Sequence, residues 1–142
     1  MGKNVIETIP IQKKHMHGVI ELLQSISDFK PNLDEYDSIW NTFVDQPNVH
    51  SMVALIDDKL VGYGAVIIGT NIRGGKMGHV EDIVSHNDFR NEGIGKAILD
   101  SLYEIAVYNE CYKIALACKE QYIPFYEKCF YELHGFSMQR FI

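Results

Sequence analysis

Residues 78 to 102 read GHVEDIVSHNDFRNEGIGKAILDSL. The run from Lys76 to Ser85 has the apolar content of a buried strand, the fourth along the chain. After it, Ile94, Ile98, Leu102, Ile105 and Ala106 recur at helical spacing and predict an amphipathic helix of about four turns. Between the two lies RNEGIG, residues 90 to 95, with two glycines around an isoleucine. A strand, a glycine turn and a helix leave unpaired backbone N–H groups at a helix N-terminus, where the macrodipole adds about half a positive charge. That arrangement favours an anion. It is not a Walker loop, because the glycines lack the four-residue gap and no Ser or Thr follows Lys96. It is not the dinucleotide GxGxxG either, because Ile98 stands where the third glycine belongs and Glu81 and Asp82 precede it. Taken alone, such glycines also serve simply to relieve steric strain.

The remaining chain supplies context. At 142 residues, with 46% hydrophobic and 23% charged residues, it has ordinary globular composition and is expected to form one domain, residues 1–142. The longest apolar runs are far short of the roughly 20 residues a membrane helix needs, and the N-terminus has no signal-peptide core. Gly2 suggests myristoylation only in part, since no Ser or Thr stands at position 6. The expectation is a cytoplasmic protein without a membrane partner. Cys111, Cys118 and Cys129 form neither a CxxC pair nor an even set, so buried thiols are expected rather than disulfides or a metal site. A net charge of −6 argues against nucleic acid as a partner. From residue 73 onward eight basic residues face ten acidic ones, against five and nine before it, which places an anion site in the second half.

Residues 4 to 11 read as an edge strand and residues 13 to 27 as a first helix, carrying Met16, Val19, Ile20, Leu23 and Ile26. A second helix is predicted over Glu35 to Asp45. The segment HSMVALIDDKLVGYGAVII reads as two strands buried on both faces and joined at Asp57 and Asp58. NIRGGK makes the next turn, YKIALAC a later strand, IPFYEKC a short helix, and the tail from Tyr131 to Ile142 a final strand or a hairpin around Gly135.

The R-x-x-G-x-G turn in this setting resembles the pyrophosphate-binding motif of the GNAT superfamily of acetyl-CoA-dependent N-acetyltransferases. Within that superfamily GHVEDIV, GIGK, CYKIAL and PFYEKC, in that order, are similar to the glucosamine-6-phosphate N-acetyltransferases. The resemblance is specific from Gly78 to Tyr131 and collinear before it. It implies an α/β GNAT acyl-CoA N-acyltransferase fold, a mixed central sheet with a splayed fourth strand and helices on both faces. It also implies acetyl-CoA as cosubstrate without a metal, an amino-sugar phosphate acceptor, and a homodimer whose pockets are completed by the neighbouring subunit.

Carried over residue by residue, the resemblance seats the cofactor pyrophosphate on Arg90, Asn91, Glu92, Gly93, Ile94, Gly95 and Lys96, and its pantetheine on the main chain of Ile83, Val84 and Ser85. Asn91 replaces a common glycine, and Asn tolerates left-handed backbone. A main-chain N–H near Ile83 polarises the thioester, and Tyr126 serves the departing thiolate. Glu81 and Asp82 line the amino-sugar pocket, with Glu81 able to take the amine proton; being adjacent, they point to opposite faces unless the strand bulges. Tyr112, Lys113 and Arg140 are matched to substrate contacts, Arg140 to the sugar phosphate, and Ser27 loosely to a hydroxyl touching the sugar.

Several positions depart from the family pattern. Ala117 stands where an acidic residue usually precedes the cysteine, Tyr122 replaces an asparagine, and Phe130 replaces a glycine after the FYEKC segment. Thr70 and Asn71 replace an expected basic pair, for which Arg73 or Lys76 are possible substitutes. These departures leave open a different small amine as acceptor, or an acyl-CoA-binding sensor without catalysis.

Overall fold

The computed structural model describes residues 4–142. Gly2 lies outside them. In chain order the elements are β1 (Glu7–Pro10), α1 (Met16–Leu23), α2 (Tyr36–Val44), β2 (Val49–Ile56), β3 (Lys59–Thr70), β4 (Lys76–Ser85), α3 (Ile94–Tyr108), β5 (Lys113–Ala115) and α4 (Ile123–Lys128). The strands form one sheet in the order β1-β2-β3-β4-β5, antiparallel up to β4, with β5 parallel to β4. Asp57 and Asp58 close the β2–β3 hairpin with φ of 48° and 64°, the left-handed pair that a tight two-residue turn requires.

The apolar runs of β2 and β3 are covered on both faces. On one, Ile98, Leu99 and Leu102 of α3 pack with Val61, Val66 and Val80. Each of these aliphatic side chains contributes about 1.5–3 kcal/mol on burial. On the other, Val19 of α1 packs with Val53, Leu55, Tyr63, Ala65 and Val84. Gly64 permits the close approach of α3, since a Cβ there would fall 2.5 Å from Ile98 and 2.6 Å from Ile83.

Val80 and Val84, four residues apart on β4, face opposite sides of the sheet. A regular strand, with its two-residue period, would put both on one face. The register explains the inversion: Ala65 pairs with Glu81 and Tyr63 with Val84, so one residue of β3 faces two of β4. This is a β-bulge, and its extra residue, Asp82, has φ of 58°. Beyond it the strand has changed parity.

Four expectations need correction, beginning with the thiols: Cys118 is exposed and Cys111 and Cys129 are partly exposed, so none of the three is buried as expected. The first helix spans Met16–Leu23 rather than residues 13 to 27, flanked by a 3-10 turn at Lys13–His15 and turns after Leu23. The YKIALAC strand is reduced to Lys113–Ala115, because β5 pairs only with Met77, Gly78 and His79. The tail from residue 131 is neither strand nor hairpin. Its Leu133, Phe136, Met138 and Phe141 are all exposed, so the apolar pattern read as a strand meets no sheet among the described residues.

Helices α3 and α4 end alike. After α3, the N–H of Cys111 donates to the carbonyl of Ala106 at 2.9 Å and that of Glu110 to Val107 at 3.0 Å; after α4, Tyr131 donates to Tyr126 at 3.0 Å and Phe130 to Glu127 at 3.1 Å. Both are Schellman caps, which call for a left-handed residue, usually glycine. Here Glu110 and Phe130 hold φ of 63° and 70°. Left-handed backbone costs a side-chain-bearing residue about 1–2 kcal/mol. Replacing the exposed Glu110 by glycine is therefore expected to stabilise the protein by about 1 kcal/mol. A lower denaturant midpoint for Glu110→Gly would contradict the strain assigned to that cap.

Candidate active site

Arg90, Asn91 and Glu92 are exposed, and Asn91 adopts φ of 66°, so this asparagine accepts the left-handed backbone for which glycine is more usual. Gly93, at φ of 83°, is the N-cap of α3, and the first intrahelical bond runs from the N–H of Ala97 to the carbonyl of Gly93 at 3.0 Å. Helix geometry therefore leaves the amides of Ile94, Gly95 and Lys96 without intrahelical acceptors. A Cβ on Gly93 would meet no atom within 4 Å, so the glycine is required by backbone conformation and opens onto free space. Gly95 is needed for packing instead, since a Cβ there would come 2.9 Å from the Phe125 ring and α4 rests directly on the first turn of α3. Lys96 does not extend over the turn; its ammonium pairs with Asp100 at 2.6 Å. Arg90 donates to the side-chain oxygen of Asn87 at 2.9 Å.

The last residue pair between β4 and β5 is His79 with Ala115. From Val80 to Ser85 β4 continues without β5 beside it, which opens a wedge from the middle of the sheet toward the α3 N-terminus. Main-chain groups on that edge are available to an extended ligand in the manner of an added strand. The amides of the glycine turn and this edge are thus both open to an extended ligand that carries an anionic group. Ile83, Val84 and Ser85 all lie on this edge.

The bulge sits beside the wedge. Glu81 and Asp82 are both exposed, so the two carboxyl groups reach solvent from neighbouring positions in a way a flat strand forbids. Shielding by the surrounding protein nonetheless pushes the Asp82 carboxyl above the ordinary carboxylate range. Beneath it Tyr63 is buried, with its hydroxyl donating to the Ser51 hydroxyl at 3.0 Å. Burial, together with the negative charge of Asp82 and Glu81 and against the Ser51 hydrogen bond, pushes the Tyr63 phenol up to about 12.

Tyr126 is half-buried on α4, edge-to-face with Phe125 at 5.0 Å and with Tyr131 at 5.9 Å between ring centroids. Tyr126 and Tyr131 are also the pair that the Schellman cap brings together. Burial raises the Tyr126 phenol, with Cys118, Cys129 and Tyr122 acting in the same direction, so the hydroxyl keeps its proton at neutral pH. The Tyr131 hydroxyl is buried with no hydrogen-bond partner among the described residues.

Other residues matched to substrate contacts are spread out. Tyr112 and Lys113 lie at the joined end of β4 and β5, where the Tyr112 N–H donates to the Lys76 carbonyl at 2.9 Å and the Lys113 ammonium stands 5.7 Å from the Tyr112 ring. Ser27 lies beyond the end of α1, where its hydroxyl accepts from the Phe29 N–H at 3.3 Å. Arg140 is in the irregular tail. Asn71, in place of an expected base, caps its own turn by accepting from the N–H groups of Arg73 and Gly75, each at 3.0 Å. Sequence pattern does not mark the buried Tyr63–Ser51 pair, and it marks His79 only weakly. The signal for His79 was its two-residue spacing from Glu81 around Val80, which places both on the face away from α3.

A family model described as the acetyltransferase (GNAT) family matches residues 16–131. Glucosamine 6-phosphate N-acetyltransferase 1 of Dictyostelium discoideum is 32% identical over 130 residues, covering 88% of this chain and 83% of that protein. The crystal structure of glucosamine-6-phosphate N-acetyltransferase from Arabidopsis thaliana superposes with a TM-score of 0.89 over 96% of this chain and 98% of that one, at 24% identity. An acetyltransferase structure from Trypanosoma brucei gives 0.87 over 97% and 100%, at 26% identity. The wedge, the glycine turn and these matches agree, and the chain belongs to the GNAT family of acetyltransferases.

Proposed function

We propose that this enzyme transfers the acetyl group of acetyl-CoA to the 2-amine of glucosamine 6-phosphate, giving N-acetylglucosamine 6-phosphate for amino-sugar and UDP-N-acetylglucosamine synthesis. The observation that carries the reading is the wedge between β4 and β5, bounded by the glycine turn at its open end and by Glu81 and Asp82 beside it. The relatives at 32% and 29% identity that cover most of the chain are both glucosamine 6-phosphate N-acetyltransferases, from Dictyostelium discoideum and Arabidopsis thaliana.

In this reading bound acetyl-CoA supplies an activated acetyl thioester. Amides of the turn from Asn91 to Lys96 hold its pyrophosphate, with Arg90 beside them. Those of Ile94, Gly95 and Lys96 serve chiefly, because the Glu92 N–H already donates to the Phe89 carbonyl at 3.3 Å. The main chain of Ile83, Val84 and Ser85, on the edge that β5 leaves unpaired, holds its pantetheine arm. A main-chain N–H near Ile83 polarises the thioester carbonyl. Such a donor is worth about 3–4 kcal/mol of barrier when aimed at the developing oxyanion. Glu81 holds the acceptor's ammonium and can accept its proton, while Asp82 presents its main chain and carboxyl to the sugar. The Tyr126 phenol, kept protonated by burial, donates to the thiolate as it departs. Tyr112, Lys113 and Ser27 are proposed as further contacts to the sugar and its phosphate.

The tail supports a homodimer. Phe136 and Met138 are 97% and 94% exposed, an apolar surface that a second copy would cover. Arg140 on the same tail would then reach the neighbouring pocket and hold the sugar phosphate by a charge-assisted contact. A cytoplasmic setting accords with three cysteines that form no disulfide.

Thiol release measured with a panel of amines tests the substrate. Glucosamine 6-phosphate should exceed unphosphorylated glucosamine by about 10- to 100-fold in kcat/KM, the value of a charged hydrogen bond to the phosphate. Turnover only on some other amine would sink the assignment. Tyr126→Phe should lower kcat at least 100-fold with little change in KM for acetyl-CoA; unaltered kcat would remove Tyr126 from the reaction. Light scattering should find a dimer that the double variant Phe136→Asp, Met138→Asp converts to a monomer. A variant that remains dimeric would show that the tail is not the interface.

A further inference from the structure

The sheet face opposite α3 carries a titratable side chain that no step above employs. His79 ends the paired part of β4: its register partners are Ile67 on β3 and Ala115 on β5, and past this pair the two strands diverge. It therefore stands at the apex of the wedge, where an extended cofactor seated at the α3 N-terminus and running along the β4 edge brings its reacting end. Gly78 and Val80 on either side of it are buried, with Val80 in the α3-facing core, which turns His79 to the other face. There it is exposed, and among the described residues its side chain makes neither a hydrogen bond nor an ion pair.

Its neighbours on that face follow from the register. Glu81 lies two residues along the same strand, roughly 7 Å away at the backbone. Lys113 projects from β5 to the same side, because Ile114 next to it points into the α3-facing core. β3 offers Ile67, Ala65 and the buried Tyr63 phenol, β2 offers Val49 and Ser51, and α1 offers Val19, Leu22 and Leu23, so Glu81, Lys113 and, at the bulge, Asp82 are the charged groups on His79's side of the sheet. Ala117, just beyond β5, has no side chain able to move a proton.

We propose that His79 is the general base of the acetyl transfer, taking the proton that the acceptor's ammonium must lose before it can attack. The inference rests on the reading of this site as an amine acetyltransferase and assigns the removal of the amine's proton to His79, leaving Glu81 to hold the ammonium. Glu81 holds the ammonium; an imidazole is the side chain suited both to take its proton and to release it to water near neutral pH. With one proton on His79, the amine nitrogen bonds to the thioester carbon and the carbon–sulfur bond breaks. Tyr126 protonates the thiolate, and the second proton of the nitrogen, lost as the amide forms, restores the Tyr126 phenol. Net, one amide and one thiol appear and one proton passes through His79 to solvent.

The test compares wild type with His79→Gln on glucosamine 6-phosphate across pH, with acetyl-CoA affinity measured by calorimetry. The variant should bind acetyl-CoA as wild type does, lose about 100-fold in kcat, lose one ionisation from the pH dependence of kcat/KM, and regain activity with added imidazole. Wild-type kcat with an unchanged pH profile would overturn the proposal, and so would a loss that neither imidazole nor higher pH repairs. Should the variant fail to fold, NMR of the wild type decides: the His79 ring signals must shift when the sugar is added to the coenzyme A complex, and unmoved signals overturn the proposal. A wild-type enzyme that acetylates no amine would instead remove the underlying reading, a result separable from the others because it precedes any substitution.

Discussion

The extra residue that Asp82 places in β4 sets the geometry of everything around the site. Because of it, Val80 faces the α3 core and Val84 the α1 core, so a single strand serves two hydrophobic layers that a regular strand could not join in this order. The same insertion brings two adjacent carboxyl groups to solvent and accompanies the divergence of β4 from β5. Left-handed backbone at an aspartate is tolerated because the short polar side chain avoids the clash that a branched one would meet. The local cost is small beside the burial of Val80, Val84, Ile98 and Leu102 that the inverted parity permits.

The two halves of the proposed site rest on different physical foundations. At the cofactor end the fixed elements are backbone: the left-handed Asn91 and Gly93, the uncapped amides of α3, and the free edge of β4. At the acceptor end they are exposed side chains on β4 and on a tail that, past Tyr131, is exposed throughout. In the proposed site, the departures from the family pattern noted at Thr70, Asn71 and Ala117 would fall at this second end. Asn71 shows what such a change does locally, because its carboxamide is committed to closing the β3–β4 turn and is no longer free for a ligand.

Much of this was readable in the sequence because the deciding features are local. The helical spacing of Ile94, Ile98 and Leu102, the Asp57–Asp58 turn and the apolar runs of β2 and β3 each depend on residues close together in the chain, and all appear where the pattern put them. What escaped was non-local. No residue type announces that Asp82 takes φ of 58°, since the bulge follows from how β3 and the two cores share β4. The tail alternates like a strand, but strand formation needs a neighbouring edge, and the described residues supply none to residues 131–142. β5 stopped short of the YKIALAC run for a related reason: the strand beside it turns away after His79. The wedge was anticipated only through family resemblance, whereas the facing of His79 away from α3 emerges once the buried neighbours Gly78 and Val80 are known.

The open edge of β4 also bears on how this protein withstands heat. A sheet normally satisfies its internal edges with its own strands, yet here part of the sheet between Val80 and Ser85 is left for a small molecule to finish. In the proposed complex acetyl-CoA is then a piece of the fold as well as a reactant. Mass action makes the folded population depend on its concentration, by about 2.7 kcal/mol when it stands at 100 times its dissociation constant. A cell starved of acetyl-CoA would thus hold a less durable enzyme as well as a slower one, and protein turnover would follow the supply of the metabolite.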